Sequence, residues 1–221
     1  MSDLVYENLG PQKKPYPLGE EIANAISHGL WALLSIAGLV ILVVKAAMHG
    51  SAWHIVSFSI FGSSAVLLFT MSTLYHAISA PRAKRVLKIL DHSSIYVLIA
   101  GTYTPFALTI LRPSMGWMIF GIIWGLAALG ISLKPFLAGK AKALSTIAYV
   151  AMGWIIIIAW KPLNAVATPY VVRMLILGGV TYTLGALFYM LKGRVWSHPL
   201  WHLFVGAGAT FHFFSVLGLL P

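Results

Sequence analysis

The sequence predicts an all-α polytopic membrane protein, a seven-helix transmembrane bundle with its N-terminus in the cytoplasm and its C-terminus outside. Three observations carry this. Only 9% of the 221 residues are charged while 59% are hydrophobic, against roughly a quarter charged in soluble domains. The apolar residues fall in runs of about 20, the length that spans a bilayer core as a helix. The runs do not alternate with period two, as the strands of a membrane β-barrel would.

The seven runs are residues 22–44, 53–78, 92–111, 115–133, 143–160, 171–191 and 199–220. They form one transmembrane domain over 20–221, preceded by a short cytoplasmic segment, 1–19. That segment is polar and holds Pro11, Pro15 and Pro17, so it does not read as a cleavable signal, and the first run reads as a signal-anchor helix. Short connections make neighbouring helices antiparallel. Pro105, in "GTYTP", is expected to bend the third helix or end its regular part. Gly121 and Gly125, and "GAGA" at 206–209, offer small-residue faces for close helix packing. Such faces serve one bundle or join two copies, which leaves a homo-oligomer open.

Orientation follows from the basic residues. Lys13, Lys14, Arg82, Lys84, Arg85, Lys88, Lys134, Lys140, Lys142, Lys192 and Arg194 fall on one side. Only Lys45, Arg112, Lys161 and Arg173 fall on the other. The richer side is cytoplasmic. A formal charge of +10 therefore reads as anchoring to anionic lipid headgroups rather than as nucleic-acid binding. Trp53, Trp117 and Trp160 are expected in an outer aromatic belt, with Trp196 and Trp201 in an inner one.

This orientation brings together residues chosen without reference to it. Asp3, Glu7, Glu20 and Glu21 precede the first run, and beyond them the chain holds one carboxylate, Asp91. His76 ends the second run in "STLYH", with Ser72 one turn before it. His198 and His202, in "SHPLWH", share one face at the start of the last run, where Ser197 and Pro199 start the helix. His76, Asp91, His198 and His202 thus reach one depth from three helices. With no cysteine in the chain, three imidazoles suit a catalytic zinc better than a structural one, because such sites keep a position open for water. Asp91 is expected to act on that water, whose pKa zinc lowers to about 7, and Ser72 to stand beside it. His28, with Asn24 on the same face, would line the same cavity. His92 points about 100° away from Asp91 around the helix. His212 lies about 15 Å deeper than His202 and reads as a helix-to-helix hydrogen bond. His49 and His54 fall toward the outer side.

"STLYH" at 72–76, "DHSSIYVLIAGTYTP" at 91–105, "HPLWH" at 198–202 and "EEIANAISHG" at the entry to the first helix together resemble the hemolysin III / progestin-and-adipoQ-receptor (PAQR) family, in its bacterial branch. The resemblance implies seven helices with a cytoplasmic N-terminus. It implies a zinc ion held by His76, His198 and His202, with Asp91 acting through the water and Ser72 nearby. Eukaryotic adiponectin receptors of this family are associated with ceramide hydrolysis. Bacterial members are named for hemolysis and linked to membrane lipid and fluidity homeostasis. The long N-terminal domain of the eukaryotic receptors has no counterpart here.

The expected function is a zinc-dependent hydrolase of a membrane lipid amide or ester, resident in the bacterial inner membrane. A non-enzymatic regulator of membrane state with a structural zinc is the first rival. A pore-forming hemolysin is the second, opposed by short loops and cytoplasmic anchors. An ion transporter is opposed by the scarcity of acids and the lack of an inverted repeat.

Overall fold

The computed structural model describes residues 16–137, 142–190 and 196–221. Asp3, Glu7, Lys13, Lys14, Lys140, Lys192 and Arg194 lie outside the described residues. Every regular element among the described residues is helical. The helices are α1 (Leu18–His49), α2 (Ala52–Ala77), α3 (Pro81–Leu108), α4 (Gly116–Leu137), α5 (Lys142–Gly153), α6 (Trp160–Val166), α7 (Pro169–Met190) and α8 (Ser197–Leu217), with a 3-10 segment at Ile155–Ala159 between α5 and α6.

Six stretches are long and apolar enough to cross a membrane: α1, α2, α4, the α5–α6 unit, α7 and α8. The chain is an integral, multi-pass membrane protein. The third expected span is the one that falls short. α3 begins at Pro81, eleven residues earlier than expected, and its first turns carry Arg82, Lys84, Arg85, Lys88 and Asp91. Its apolar part runs from Ile95 to Leu108 and is largely buried against the other helices. Pro105 does not stop it: helix continues three residues further, and Thr109 N–H closes it on the Pro105 carbonyl at 3.1 Å.

Successive helices pack as antiparallel neighbours, α1 on α2, α2 on α3 and α3 on α4, while α5 packs on α3 and α7. α8 packs on α7 and returns to α1, which closes the bundle. The outer faces carry the apolar residues that meet lipid: Leu30, Leu33, Val40 and Ile41 of α1 are all about half exposed. The inner face of α1 is different in kind, with Glu21, Asn24 and His28 buried at spacings of three and four.

The break after α5 has a chemical closure. Tyr103 of α3 donates from its hydroxyl to the Gly153 carbonyl at 2.7 Å and accepts from Ile156 N–H at 2.8 Å. Backbone groups freed by the break are thereby satisfied by a side chain of the same bundle. Lys134 also departs from expectation. It is buried inside the bundle rather than on a lipid-facing loop, and its ammonium donates to Ser145 Oγ and Tyr149 Oη, both at 3.0 Å.

The two expected glycine faces part company. Gly121 and Gly125 have open space where a Cβ would stand, so they pack against nothing among the described residues. In the 206–209 stretch a Cβ on Gly206 would fall inside the Trp31 indole, so α1 and α8 approach through that glycine. Thermal unfolding in detergent should separate the two. Gly206→Ala is expected to lower stability by about 1–3 kcal/mol through overpacking. Gly121→Ala should leave it equal to or slightly above the parent, since alanine is the better helix former.

Candidate metal centre

Antiparallel packing puts the N-terminal end of α1, the C-terminal end of α2 and the N-terminal ends of α3 and α8 at one end of the bundle. α8 starts sharply there: Trp196, just before it, has φ 70° in the left-handed region, and Pro199 follows in the first turn. His198 and His202 then stand one turn apart on the same face, opposite His76 of α2.

The three imidazoles converge. Each offers a ring nitrogen within 4.8 Å of the other two. His198 Nε2 lies 3.3 Å from His76 Nε2 and 3.2 Å from His202 Nε2. Two ligands at the zinc–nitrogen bond length of about 2.0–2.1 Å and tetrahedral angles sit about 3.3 Å apart. The spacing is therefore that of adjacent corners of a zinc tetrahedron.

Tautomers can be assigned from the partners on the far sides of the rings. His76 Nδ1 is 2.6 Å from Glu21 Oε2. An ionised carboxylate only accepts, so Nδ1 carries the proton and Nε2 of the neutral ring keeps its lone pair. Glu21 is held in turn by Lys84, whose ammonium donates to Oε1 at 2.7 Å. His202 Nδ1 is 3.2 Å from Ser27 Oγ. The single Ser27 proton goes to the Asn24 carbonyl at 3.0 Å, so Oγ accepts and His202 Nδ1 donates. Nε2 of His202 is then also a lone pair. His198 Nε2 faces both, and one proton on it can serve only one of them. A divalent cation accepts all three lone pairs at once. The donor set fits zinc: all-nitrogen, with a carboxylate and a hydroxyl behind two of the rings, the outer arrangement that orients metal-ligating imidazoles.

The neighbouring rings lock the set. His28 is buried and stacks on His202 with ring centroids 3.5 Å apart. Tyr16, just ahead of α1, stacks on His198 at 4.6 Å. Asn24 is buried beside His76, with Nδ2 3.5 Å from Nδ1.

A cavity runs from this end into the bundle. Its polar lining includes Ser72, Asp91, His28, His198 and His202; its apolar lining includes Leu68, Ile95, Leu98, Phe106 and Leu175. Asp91 is engaged by its sequence neighbour: His92 Nδ1 is 3.2 Å from Asp91 Oδ2 and 2.8 Å from the Lys88 carbonyl. The expectation that His92 points away from Asp91 is thus corrected. Adjacent Cβ atoms diverge by 100°, but the long imidazole reaches back along the helix. His212 lines the same cavity far from the three-histidine set. Its Nδ1 has no hydrogen-bond partner among the described residues, which corrects the expected bond to a neighbouring helix. His54 belongs to the opposite end, beside the Leu219 carbonyl.

Glu21, Lys84, Ser27 and Tyr16 were not expected at the site. For Glu21 and Ser27 a signal existed: with Asn24 and His28 they lie near one face of α1 in "EEIANAISHG". Taking the acids as preceding the first helix concealed it, since α1 starts at Leu18 and encloses them. Removing the Glu21 carboxylate without changing its shape, in Glu21→Gln, should weaken zinc affinity about 10–100-fold. Competition with a chromophoric chelator measures this, with Glu20→Gln unchanged as the control.

Comparison with known proteins agrees with this constellation. The family model described as Haemolysin-III related matches residues 16–213. The chain is 47% identical over 198 residues to Hemolysin-3 of Bacillus cereus, covering 90% of each chain. It is 49% identical over 202 residues to the Hemolysin-3 homolog of Bacillus subtilis (strain 168), covering 91% of this chain and 95% of that one. A more distant relative is the human Monocyte to macrophage differentiation factor, 26% identical over 207 residues, with 89% and 83% covered. A match over nearly the whole chain, taking in all three histidines, Asp91 and Ser72, leads to one conclusion: this protein belongs to the haemolysin III family.

Proposed function

We propose that this chain is a zinc-dependent hydrolase of a membrane lipid amide or ester, with seven crossings and its N-terminus in the cytoplasm. The observation that carries the reading is the junction of two unlike environments. His198 and His202 of the three-histidine set and the Asp91 carboxylate line one part of a cavity whose remaining lining is largely apolar. Such a shape suits a ligand with a polar carbonyl at one end and a hydrocarbon tail behind it.

α3 is the seventh crossing in this reading. Its charged first turns extend into the interface, and its apolar part is sheltered from lipid by its neighbours, so it needs less apolar surface of its own. The Lys and Arg residues at the start of α3, the end of α4 and the start of α5 support the cytoplasmic assignment, where they would meet anionic headgroups.

His76, His198 and His202 would hold the metal. Zinc bound there supplies a Lewis acid for the lipid carbonyl and acidifies water. Glu21 and Ser27 keep the Nδ1 protons on the far sides of two rings, so their Nε2 lone pairs face inward. Asp91 is the base, taking a proton from the attacking water as oxygen bonds to the carbonyl carbon. It returns that proton to the amine or alcohol as the carbon–nitrogen or carbon–oxygen bond breaks. His92 fixes the rotamer of Asp91 through Oδ2, leaving Oδ1 for the water. Ser72, at the mouth, offers a hydroxyl to the carbonyl oxygen. The products are a fatty acid and the freed headgroup, and turnover of this kind would adjust the lipid composition of the inner membrane.

A regulator held together by a structural zinc is the alternative, favoured by the way the centre ties α1, α2 and α8. Asp91→Asn separates the two. The hydrolase reading expects a full complement of zinc by metal analysis and at least a 100-fold loss of turnover, read by lipid mass spectrometry of cells and of purified protein. His198→Ala and His202→Ala should lose both. Undiminished function in Asp91→Asn would leave the structural zinc as the better account.

A further inference from the structure

The far part of the cavity holds a second polar feature, which the three-histidine centre does not use. Tyr182 of α7 and His212 of α8 both line it. Their rings stack with centroids 5.2 Å apart and 30° between planes. Tyr182 Oη and His212 Nδ1 are buried with no hydrogen-bond partner among the described residues. His212 as a whole is only 5% exposed. An unmade hydrogen bond in such a place costs about 1–3 kcal/mol for each group. Phenylalanine or leucine would fill the same space without that cost.

The packing shows that this pair is built rather than incidental. A Cβ on Gly178 of α7 would stand 2.6 Å from His212 Nε2, and a Cβ on Gly208 of α8 would stand 2.6 Å from the Tyr182 ring. Gly178 precedes Tyr182 by one turn, and Gly208 precedes His212 by one turn. Each helix thus contributes a ring and, one turn earlier, the gap that receives its partner's ring. The reciprocal seating fixes both aromatic rings in the cavity wall. Nearby hydroxyls are already occupied: Thr183 Oγ1 donates to the Gly179 carbonyl and accepts from Trp154 Nε1.

We propose that Tyr182 and His212 form a polar subsite deep in the cavity that binds a hydroxyl group on the hydrocarbon chain of the lipid. A hydroxyl suits the pair because it both donates and accepts, whichever tautomer His212 adopts. The inference rests on the lipid reading of the cavity and sharpens it from a plain acyl chain to a hydroxylated one. Position follows from the helix. His212 is ten residues beyond His202 on α8, about 15 Å along the axis, and an extended chain advances about 1.25 Å per carbon, which puts the hydroxyl about twelve carbons from the carbonyl.

The experiment is a binding competition on the purified full-length, zinc-loaded chain, read by native mass spectrometry. The probes are 12-hydroxystearate, 2-hydroxystearate and stearate, free acids that cannot be hydrolysed further. The parent should prefer 12-hydroxystearate over stearate by about tenfold. Tyr182→Phe and His212→Leu should each bring that preference within about twofold while leaving stearate affinity unchanged. The unchanged stearate affinity also shows that the variants fold. If the parent binds stearate and 12-hydroxystearate equally, the pair holds water only and the subsite is overturned, with the lipid cavity intact. An equal preference for 2-hydroxystearate places hydroxyl recognition at the mouth and overturns the subsite as well. If no acid binds, the lipid reading falls and the subsite falls with it.

Discussion

Three ring nitrogens face one another with one proton at most to share among them. That constraint organises this end of the molecule. Glu21 and Ser27 push protons onto the outer nitrogens of His76 and His202, and the inner lone pairs are left to meet at His198. Lone pairs held this close repel one another, so the arrangement calls for a cation. The cost of burying Glu21 falls away for the same reason: it is matched by Lys84 on one oxygen and by a ring N–H on the other. Removing either partner would leave a buried charge uncompensated, a far larger penalty than the pair's own net contribution.

The same constraint explains which helices touch. α1 is mostly a lipid-facing helix, yet it supplies Glu21, Asn24, Ser27 and His28 along one inner face. None of these belongs to the three-histidine set, and all lie against its members. α8 approaches α1 through Gly206, so that the His202 ring can lie between His28 and the His76 side. α3 has another duty. It carries Asp91 to the cavity mouth, and the charged turns that do so reduce its hydropathy below that of an ordinary span. The apolar stretch behind them needs its neighbours to cover it, which places α3 among α2, α4, α5 and α8 rather than at the rim.

Much of this was legible in the sequence, and the rest was hidden for identifiable reasons. The i, i+4 spacing of His198 and His202 survives into three dimensions because one helix enforces it. The meeting with His76 follows from topology, which charge asymmetry encodes. Glu21 was hidden by a boundary error of a few residues, since an acid next to an apolar run reads as a flank until the helix is known to begin earlier. Lys134 read as a loop anchor because sequence cannot show that Ser145 and Tyr149 of α5 meet it. Gly121 and Gly125 matched a packing motif, but a motif names a smooth face and not what covers it. Tyr16 gave no signal, because its stacking on His198 depends on the path of the chain before α1.

His212 shows most clearly where reading by analogy stops. A histidine inside a span invites a hydrogen bond to a neighbouring helix, and the facing helix α7 does supply a polar side chain, Tyr182. The two nevertheless stack face to face instead of bonding, because Gly178 and Gly208 seat each ring flat against the opposite backbone. Stacking satisfies the ring faces and leaves the polar edges unmade. A helix pair selected only for stability would have filled these seats with apolar rings, as Phe188 and Phe204 do where they stack on the same two helices nearer the three-histidine end. The contrast within one helix pair separates packing from recognition. Where α7 and α8 need only cohesion they use phenylalanine, and where they line the cavity they keep two polar atoms that only a ligand or a water can satisfy.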